Sequence, residues 1–178
     1  MAESYDFRTT TRFVPGTVGD PGQRVFFLQI GDENRVVTLK VEKQQVRALA
    51  QFLRTVLDDL PSPTREAGTN EFQPPLEADW VVGQIAVGID EAESKVVLVI
   101  DELVPQPDED EDEDEIDVEP ADFDWDEPDG SQLRAHVSVD LAAGFIVTSE
   151  ALMAGGRPPC PLCGQPLDPA GHACPRLN

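Results

Sequence analysis

The chain has 178 residues and a formal net charge of −22, from 35 acidic and 13 basic side chains. Seventeen of the acidic residues, and none of the basic ones, lie between Asp101 and Asp129, so the remaining chain is only mildly acidic. The absence of a basic cluster argues against non-specific binding of DNA or RNA. The longest apolar run, from Val96 to Ile100, is far too short for a membrane span.

The N-terminal region predicts little regular structure. Residues 1–11 are polar, show no signal-peptide pattern, and are expected to be loosely held. After Phe13, three glycines follow at steps of three: Gly16, Gly19 and Gly22. This spacing matches neither of the common phosphate-binding glycine motifs, and a strand rather than a helix follows it. Since the helix N-terminus that usually binds the anion is missing, we predict a structural turn.

Runs of alternating or continuous apolar residues predict five strands. They cover residues 24–30, 35–41, 80–88, 95–100 and 133–139. The near-continuous apolar run in the fourth predicts a central strand covered on both faces. Two hairpin turns, beginning at Asp32 and Asp90, have similar sequences, and each is later followed by a strand-to-helix junction. These similarities are consistent with a duplication, although hairpins often look alike.

Two helices are predicted. Apolar residues from Val46 to Leu60 recur at intervals of three and four, and Pro61 ends this pattern. Asp140 predicts the N-cap of a second helix, which the pair Gly155–Gly156 would end.

Two segments lack the features of regular elements. The proline-rich stretch 61–79 predicts a loop. Residues 106–131 are highly acidic, which predicts a disordered insertion because its charges repel and it has little apolar mass to bury. Phe123 and Trp125 are the residues that would anchor this insertion if it docked on a basic partner.

The clearest chemical signal is a cluster of ligand-type residues near the C-terminus. Cys160, Cys163, His172 and Cys174 have the spacing C-x2-C-x8-H-x-C and include every cysteine of the chain. Two close pairs of thiolate and imidazole ligands are typical of a tetrahedral zinc site. Four protein ligands close the coordination sphere, so the predicted zinc is structural rather than catalytic. Because the segment has little apolar surface, metal binding would supply its folding free energy.

The cysteines fit a disulfide framework, an iron site or a deaminase less well than they fit structural zinc. Three cysteines cannot all form disulfides, and free thiols indicate a reducing cytoplasm. Iron is the main alternative metal. The sequence Pro159-Cys160-x-x-Cys163 matches half of the zinc deaminase signature, but the H-x-E half is missing. The other histidine of the chain, His136, lies in a predicted strand with no evident partner, which favours a surface histidine.

Two long motifs resemble a known family. They are Phe13 to Gln29 (FVPGTVGDPGQRVFFLQ) and Gly156 to Arg176 (GRPPCPLCGQPLDPAGHACPR). Both are similar to an actinobacterial family classified as domain of unknown function 3090 and sometimes labelled a "repeat protein". The resemblance spans nearly the whole chain apart from the acidic insertion. It implies an actinobacterial cytosolic protein, attaches no activity to it, and is consistent with an internal duplication.

The sequence as a whole predicts an α+β domain, residues 1–156, with a largely antiparallel sheet of about five strands and two helices on one face. Residues 157–178 are predicted to form a zinc ribbon. The function we predict is a non-enzymatic interaction module that binds another protein and no membrane. Nucleic-acid or transcription-complex association through the ribbon, with Arg157 and Arg176 as the nearby cations, is the first alternative. An enzyme of unidentified activity is the second, although no known catalytic motif is present.

Overall fold

The computed structural model describes residues 2–58, 71–75, 77–104, 130–156, 159–165, 167 and 172–176. Within these ranges the chain forms seven strands and two helices. The elements in chain order are β1 (Ser4–Phe7), β2 (Arg12–Val18), β3 (Val25–Gly31), β4 (Val36–Val41), α1 (Lys43–Asp58), β5 (Trp80–Asp90), β6 (Lys95–Glu102), β7 (Gln132–Val137) and α2 (Val139–Ala154). The strands form one sheet in the order β1-β7-β6-β5-β4-β3-β2.

The expected number of five strands is wrong, because β1 and β2 were not predicted. Strand β2 contains Pro15 and Gly16, two residues that normally argue against a strand. Because β2 ends the hydrogen-bonded order, Pro15 can occupy an edge where the missing amide proton costs little. Gly16 is required by packing, since the ring of Phe72 occupies the space where a Cβ atom would lie.

The sheet is largely antiparallel, as predicted, but it also contains parallel pairs. Four neighbouring pairs of strands are antiparallel. The β4–β5 pair and the β1–β7 pair are parallel. The sheet therefore consists of two antiparallel meanders, β2-β3-β4 and β5-β6-β7, which meet at a parallel junction.

The two meanders have the same plan. Each consists of three strands followed by a 16-residue helix, α1 after β4 and α2 after β7. The two turns of similar sequence also use the same hydrogen bonds, although the Asp32 turn is the second of its meander (β3 to β4) and the Asp90 turn is the first (β5 to β6). The Oδ1 atom of Asp32 accepts from the amides of Asn34 and Arg35. The Oδ1 atom of Asp90 accepts from the amides of residues 92 and 93 in the same way. The sequence similarity of these turns thus has a direct structural counterpart.

The sheet is strongly curved. Strands β1 and β2 are the two ends of the hydrogen-bonded order, yet only residues 8–11 connect them. Six strand spacings would separate the ends of a flat sheet by roughly 29 Å, whereas this connection can span at most about 18 Å. A contact between β1 and the turn that joins β3 to β4 agrees with this curvature. The guanidinium of Arg35, after β3, lies 4.3 Å from the centre of the Tyr5 ring on β1.

One hydrophobic core joins all seven strands and both helices. Side chains that pair across neighbouring strands share a face of the sheet; Phe13, Ile30 and Val37 are one such row, and all are buried. The ring of Phe145 on α2 stacks on Phe13 with centroids 4.4 Å apart. The core therefore lies between the helices and one face of the sheet, as the sequence predicted.

Part of the opposite face is covered by residues 71–75. The rings of Phe72 and Phe27 lie 6.4 Å apart. The side-chain Nε2 of Gln29 donates to the backbone carbonyl of Gln73 at 2.7 Å. The backbone N–H of Gln73 donates to the side-chain Oε1 of Gln29 at 3.1 Å. Over strand β6 this face is less protected, because alternate residues are only half-buried. The predicted central place of β6 is confirmed, but its expected full coverage on both faces is wrong.

The helix boundaries differ slightly from the prediction. Helix α2 is capped by Ser138, whose side chain accepts from the backbone N–H of Leu141, while Asp140 lies in the first turn. Gly155 caps its C-terminus, as expected. The end of the first helical pattern falls outside the described residues, as does most of the predicted loop 61–79. Of the predicted acidic insertion 106–131, the structure describes only Gly130 and Ser131.

Candidate metal centre

A tight turn places the first two cysteines. The backbone N–H of Gly164 donates to the carbonyl of Cys160 at 2.8 Å, and the N–H of Cys160 donates to the carbonyl of Gln165 at 2.7 Å. Gly164 has φ = +74°, a left-handed conformation that residues with a Cβ atom rarely adopt. The glycine after the second cysteine is thus what allows the chain to reverse and close the turn.

The second pair of predicted ligands meets this turn. One ligand atom from each of Cys160, Cys163, His172 and Cys174 lies within 4.8 Å of all the others. The Sγ atom of Cys163 is 3.2 Å from the Nε2 atom of His172. Cys160 and Cys174 are buried, while the other two are half-buried. The four residues predicted from the spacing are therefore together, and they lie close enough to bind a metal ion.

The local electrostatics distinguish the two cysteines of the turn. Hydrogen bonds from the backbone amides of Cys163 and Leu162 lower the pKa of Cys160, because they stabilise its thiolate. The amide of Gln165 also lowers the pKa of Cys163, but burial and the neighbouring thiols Cys160 and Cys174 outweigh it. The resulting pKa of Cys163 is raised, chiefly because burial disfavours its thiolate, with hydrogen bonds to the neighbouring thiols and repulsion from Cys160 as smaller causes.

The donor set fits a tetrahedral cation. A positive ion would relieve the repulsion between the thiolates and bind Nε2 of His172 in its neutral form. The other ring nitrogen of His172, Nδ1, is buried and has no hydrogen-bond partner among the described residues. In metal sites this second nitrogen commonly donates to an acceptor that orients the ring. All three cysteines are free of disulfides.

A second group of titratable residues lies on the sheet, away from the cysteines. Asp90, Glu93 and His136 place one potential ligand atom each within 4.8 Å of one another. No partner for His136 was evident from the sequence, but the structure places its Nδ1 atom 3.9 Å from the Asp90 carboxylate. Glu93 forms an ion pair with Lys95 at 3.0 Å, and Asp90 accepts the amides of its turn. These contacts explain the proximity of the three side chains, which form a charged group at a turn. The sequence alone could not show this group, because Asp90 and His136 come together only through the pairing of β6 with β5 and β7.

Two further predictions can be compared with the structure. The predicted turn is confirmed for Gly19 and Gly22, which have φ values of +101° and +103°, but it is wrong for Gly16, which lies within β2. His136 lies on β7 and belongs to a different group from the cysteines, which agrees with the missing half of the deaminase signature. Among the described residues, no helix combines the length and hydrophobicity needed to cross a bilayer.

Comparison with known proteins supports the family resemblance. A family model described as "Protein of unknown function (DUF3090)" matches residues 5–174. No curated protein and no solved structure matches the chain. The matched region begins at Tyr5 in the first strand and ends at Cys174, the last of the four predicted ligands. It therefore includes the sheet, both helices and the whole cysteine cluster, and the chain belongs to the DUF3090 family.

Proposed function

We propose that the protein is a non-enzymatic interaction module of the cytoplasm, with a C-terminal ribbon held by one structural zinc ion. The observation that carries the proposal is the convergence of Cys160, Cys163, His172 and Cys174 within 4.8 Å. A site with four protein ligands leaves no open position for a substrate or an activated water. The three free cysteines suit a reducing compartment.

The donor chemistry favours zinc over other ions. Three thiolates and one imidazole form a soft, tetrahedral set, which is common for structural zinc. Hard cations such as Mg²⁺ prefer oxygen ligands, and the cluster offers none. Iron can also bind sulfur ligands, but it would colour the purified protein, so the two metals are readily distinguished.

The surface beside the cluster supports a role in binding another protein. Leu162 lies between the two cysteines of the turn, and its side chain is 47% exposed. An apolar side chain on a turn held rigid by metal can bind a partner at little cost in conformational entropy. The sequence of residues 157–178 has two arginines, Arg157 and Arg176, and no lysine, which leaves little positive charge to bind a nucleic-acid backbone.

Metal content tests the proposed site. We expect about one zinc per chain, measured by mass spectrometry on untagged protein purified under reducing conditions. The variant Cys160→Ser/Cys163→Ser should lose this zinc, because two of its four ligands are removed. His172→Gln should lose or strongly weaken zinc binding, whereas His136→Gln, at the other histidine, should retain it. Wild-type protein without metal, or with iron in place of zinc, would contradict the proposal.

A surface variant tests the interaction separately. Leu162→Asp should keep the zinc but lose the partners that wild-type protein retains after crosslinking and affinity capture. If Leu162→Asp still captures the partners but Cys160→Ser/Cys163→Ser does not, the partners contact another part of the ribbon. Binding of an oligonucleotide by the wild-type protein, lost in Arg176→Gln, would instead support the nucleic-acid alternative.

A further inference from the structure

A cleft of about 660 Å³ lies at one end of the first meander, apart from the cysteine cluster. The glycine turn after β2 forms one wall through Pro21 and Gly22, and the residues from Lys40 to Gln44 form another. The end of helix α2, with Leu152 and Met153, completes it. A cleft of this size is in the range that binds small organic ligands.

Three basic residues line this cleft. Arg24 precedes β3, Lys40 lies near the end of β4, and Lys43 begins α1, so they come from three different parts of the chain. None of these three side chains makes a hydrogen bond or ion pair with another described residue. Among the described residues that line the cleft, Glu42 is the only acidic one, so this part of the lining carries a net charge of +2. Outside residues 101–129 the chain still has more acidic than basic side chains, so the positive lining is a local feature.

The walls are chemically divided. Besides the cations, Val25, Phe26 and Val41 line the cleft together with Leu152 and Met153. The guanidinium of Arg24 extends toward the C-terminal cap of α2, where a Cβ atom on Gly155 would lie 3.5 Å from its NH1 nitrogen. A ligand could therefore place an anionic group among the cations and an apolar part against the helix end.

We propose that this cleft binds a small organic phosphate. Arg24 offers several N–H donors in a fixed plane, and the two lysines add mobile positive charges, a combination suited to the oxygens of a phosphate group. The α1 N-terminus starts at Lys43 on the same rim, so its partial positive charge adds to theirs. In the sequence the glycine loop is followed by a strand and not by a helix. In the fold, the N-terminus of α1, which begins more than twenty residues after the loop, lines the same cleft.

Simple ions can test this proposal. A protein with a net negative charge repels small anions in general, so tight phosphate binding requires a local site. We would titrate pyrophosphate and adenosine monophosphate, by calorimetry, into full-length protein at constant ionic strength. Pyrophosphate reports the anionic part of the cleft, and the nucleotide reports whether an organic group adds affinity. We expect a Kd of about 1 mM or below for at least one of them.

Charge variants at exposed positions locate the binding. Lys40→Gln/Lys43→Gln removes two cations, and Gln44→Glu adds a carboxylate of nearly equal size to the cleft rim. Each should weaken binding about tenfold or more. The matched controls are Arg134→Gln on the exposed side of β7 and Gln51→Glu on an exposed position of α1, which should stay within about twofold. Circular dichroism and thermal melting verify that all variants are folded.

Three results would overturn the proposal. One is wild-type protein that binds neither probe. Another is binding that all variants share equally, since the anion would then bind outside the cleft. The third is much tighter binding of single-stranded DNA than of either small probe, which would indicate a nucleic-acid backbone as the ligand. None of these results depends on the zinc site, because both probes can be tested on the Cys160→Ser/Cys163→Ser variant as well.

Discussion

The sheet domain and the C-terminal ribbon that we propose differ in what they bury. The sheet domain buries apolar side chains from every strand and both helices in one core. In the described part of the ribbon, the buried residues are Cys160 and Cys174, which are ligand-type residues rather than core-forming ones. Hydrophobic burial is spread over many residues, so the sheet domain can tolerate small losses. The proposed ribbon would depend on a single cluster.

This difference has a thermodynamic consequence. For a segment without a core, the free energy of metal binding is its folding free energy, on the order of 10 kcal/mol for structural zinc. Removing the metal should therefore unfold the ribbon and leave the sheet domain folded. The same separation predicts that mutations in either region leave the other unchanged, and the following variants test it from the largest effect to the smallest.

Phe13→Ala should produce the largest loss of stability in the sheet domain. Phe13 is fully buried and stacks on Phe145, so truncation leaves a cavity between β2 and α2. We expect the free energy of unfolding, measured with urea, to fall by about 3–5 kcal/mol. The control is Phe52→Ala on α1, because Phe52 is 50% exposed and should change stability by less than about 1 kcal/mol. Loss of zinc from folded Phe13→Ala protein would show that the two regions are coupled.

Alkaline pH should weaken the sheet domain through Tyr5. Burial, together with a hydrogen bond donated to Glu3, raises the pKa of Tyr5 to about 12. Since the folded state favours the neutral phenol, this stability is complete below the unfolded pKa of about 10 and is lost as pH rises toward 12. A shift of this size corresponds to at most about 3 kcal/mol.

The measurement is simple because Tyr5 is the only tyrosine in the chain. Ultraviolet absorbance of tyrosinate should show ionisation near pH 12 in the folded protein and near pH 10 in urea. In Tyr5→Phe the alkaline loss of unfolding free energy should be correspondingly smaller. Ionisation near pH 10 in the folded wild-type protein would show that β1 leaves Tyr5 open to solvent.

The accuracy of the sequence predictions depended on how local the interactions are. The four predicted ligand residues do lie close together, and their two pairs could be found from the sequence because each pair is close along the chain. Strand β1 was missed because Tyr5 and Phe7 are buried only by pairing with β7, more than 120 residues away. The partner of His136 was missed for the same reason, since Asp90 reaches it only across β6.

Glycine positions show the same limit. A sequence does not reveal whether a glycine is needed for its backbone angle, for packing space, or for neither. Gly16 is needed because Phe72 packs on it, Gly164 because φ is +74°, and Gly88 shows neither requirement. The tertiary structure separates these cases. Gly164 and Gly88 therefore form a matched pair of variant and control for testing the ribbon.

Gly164→Ala should weaken metal binding without affecting the sheet domain. A Cβ atom at Gly164 would meet no other atom within 4 Å, so the cost comes only from the left-handed backbone, about 1–2 kcal/mol. We expect zinc affinity, measured by competition with a chelator, to fall about five- to thirtyfold. Gly88→Ala on β5 is the control, because its Cβ also meets no atom but its φ is not positive. Equal zinc affinity in both variants would mean that the turn at Gly164 relaxes when metal binds, and that the ribbon is less rigid than its closed set of ligands implies.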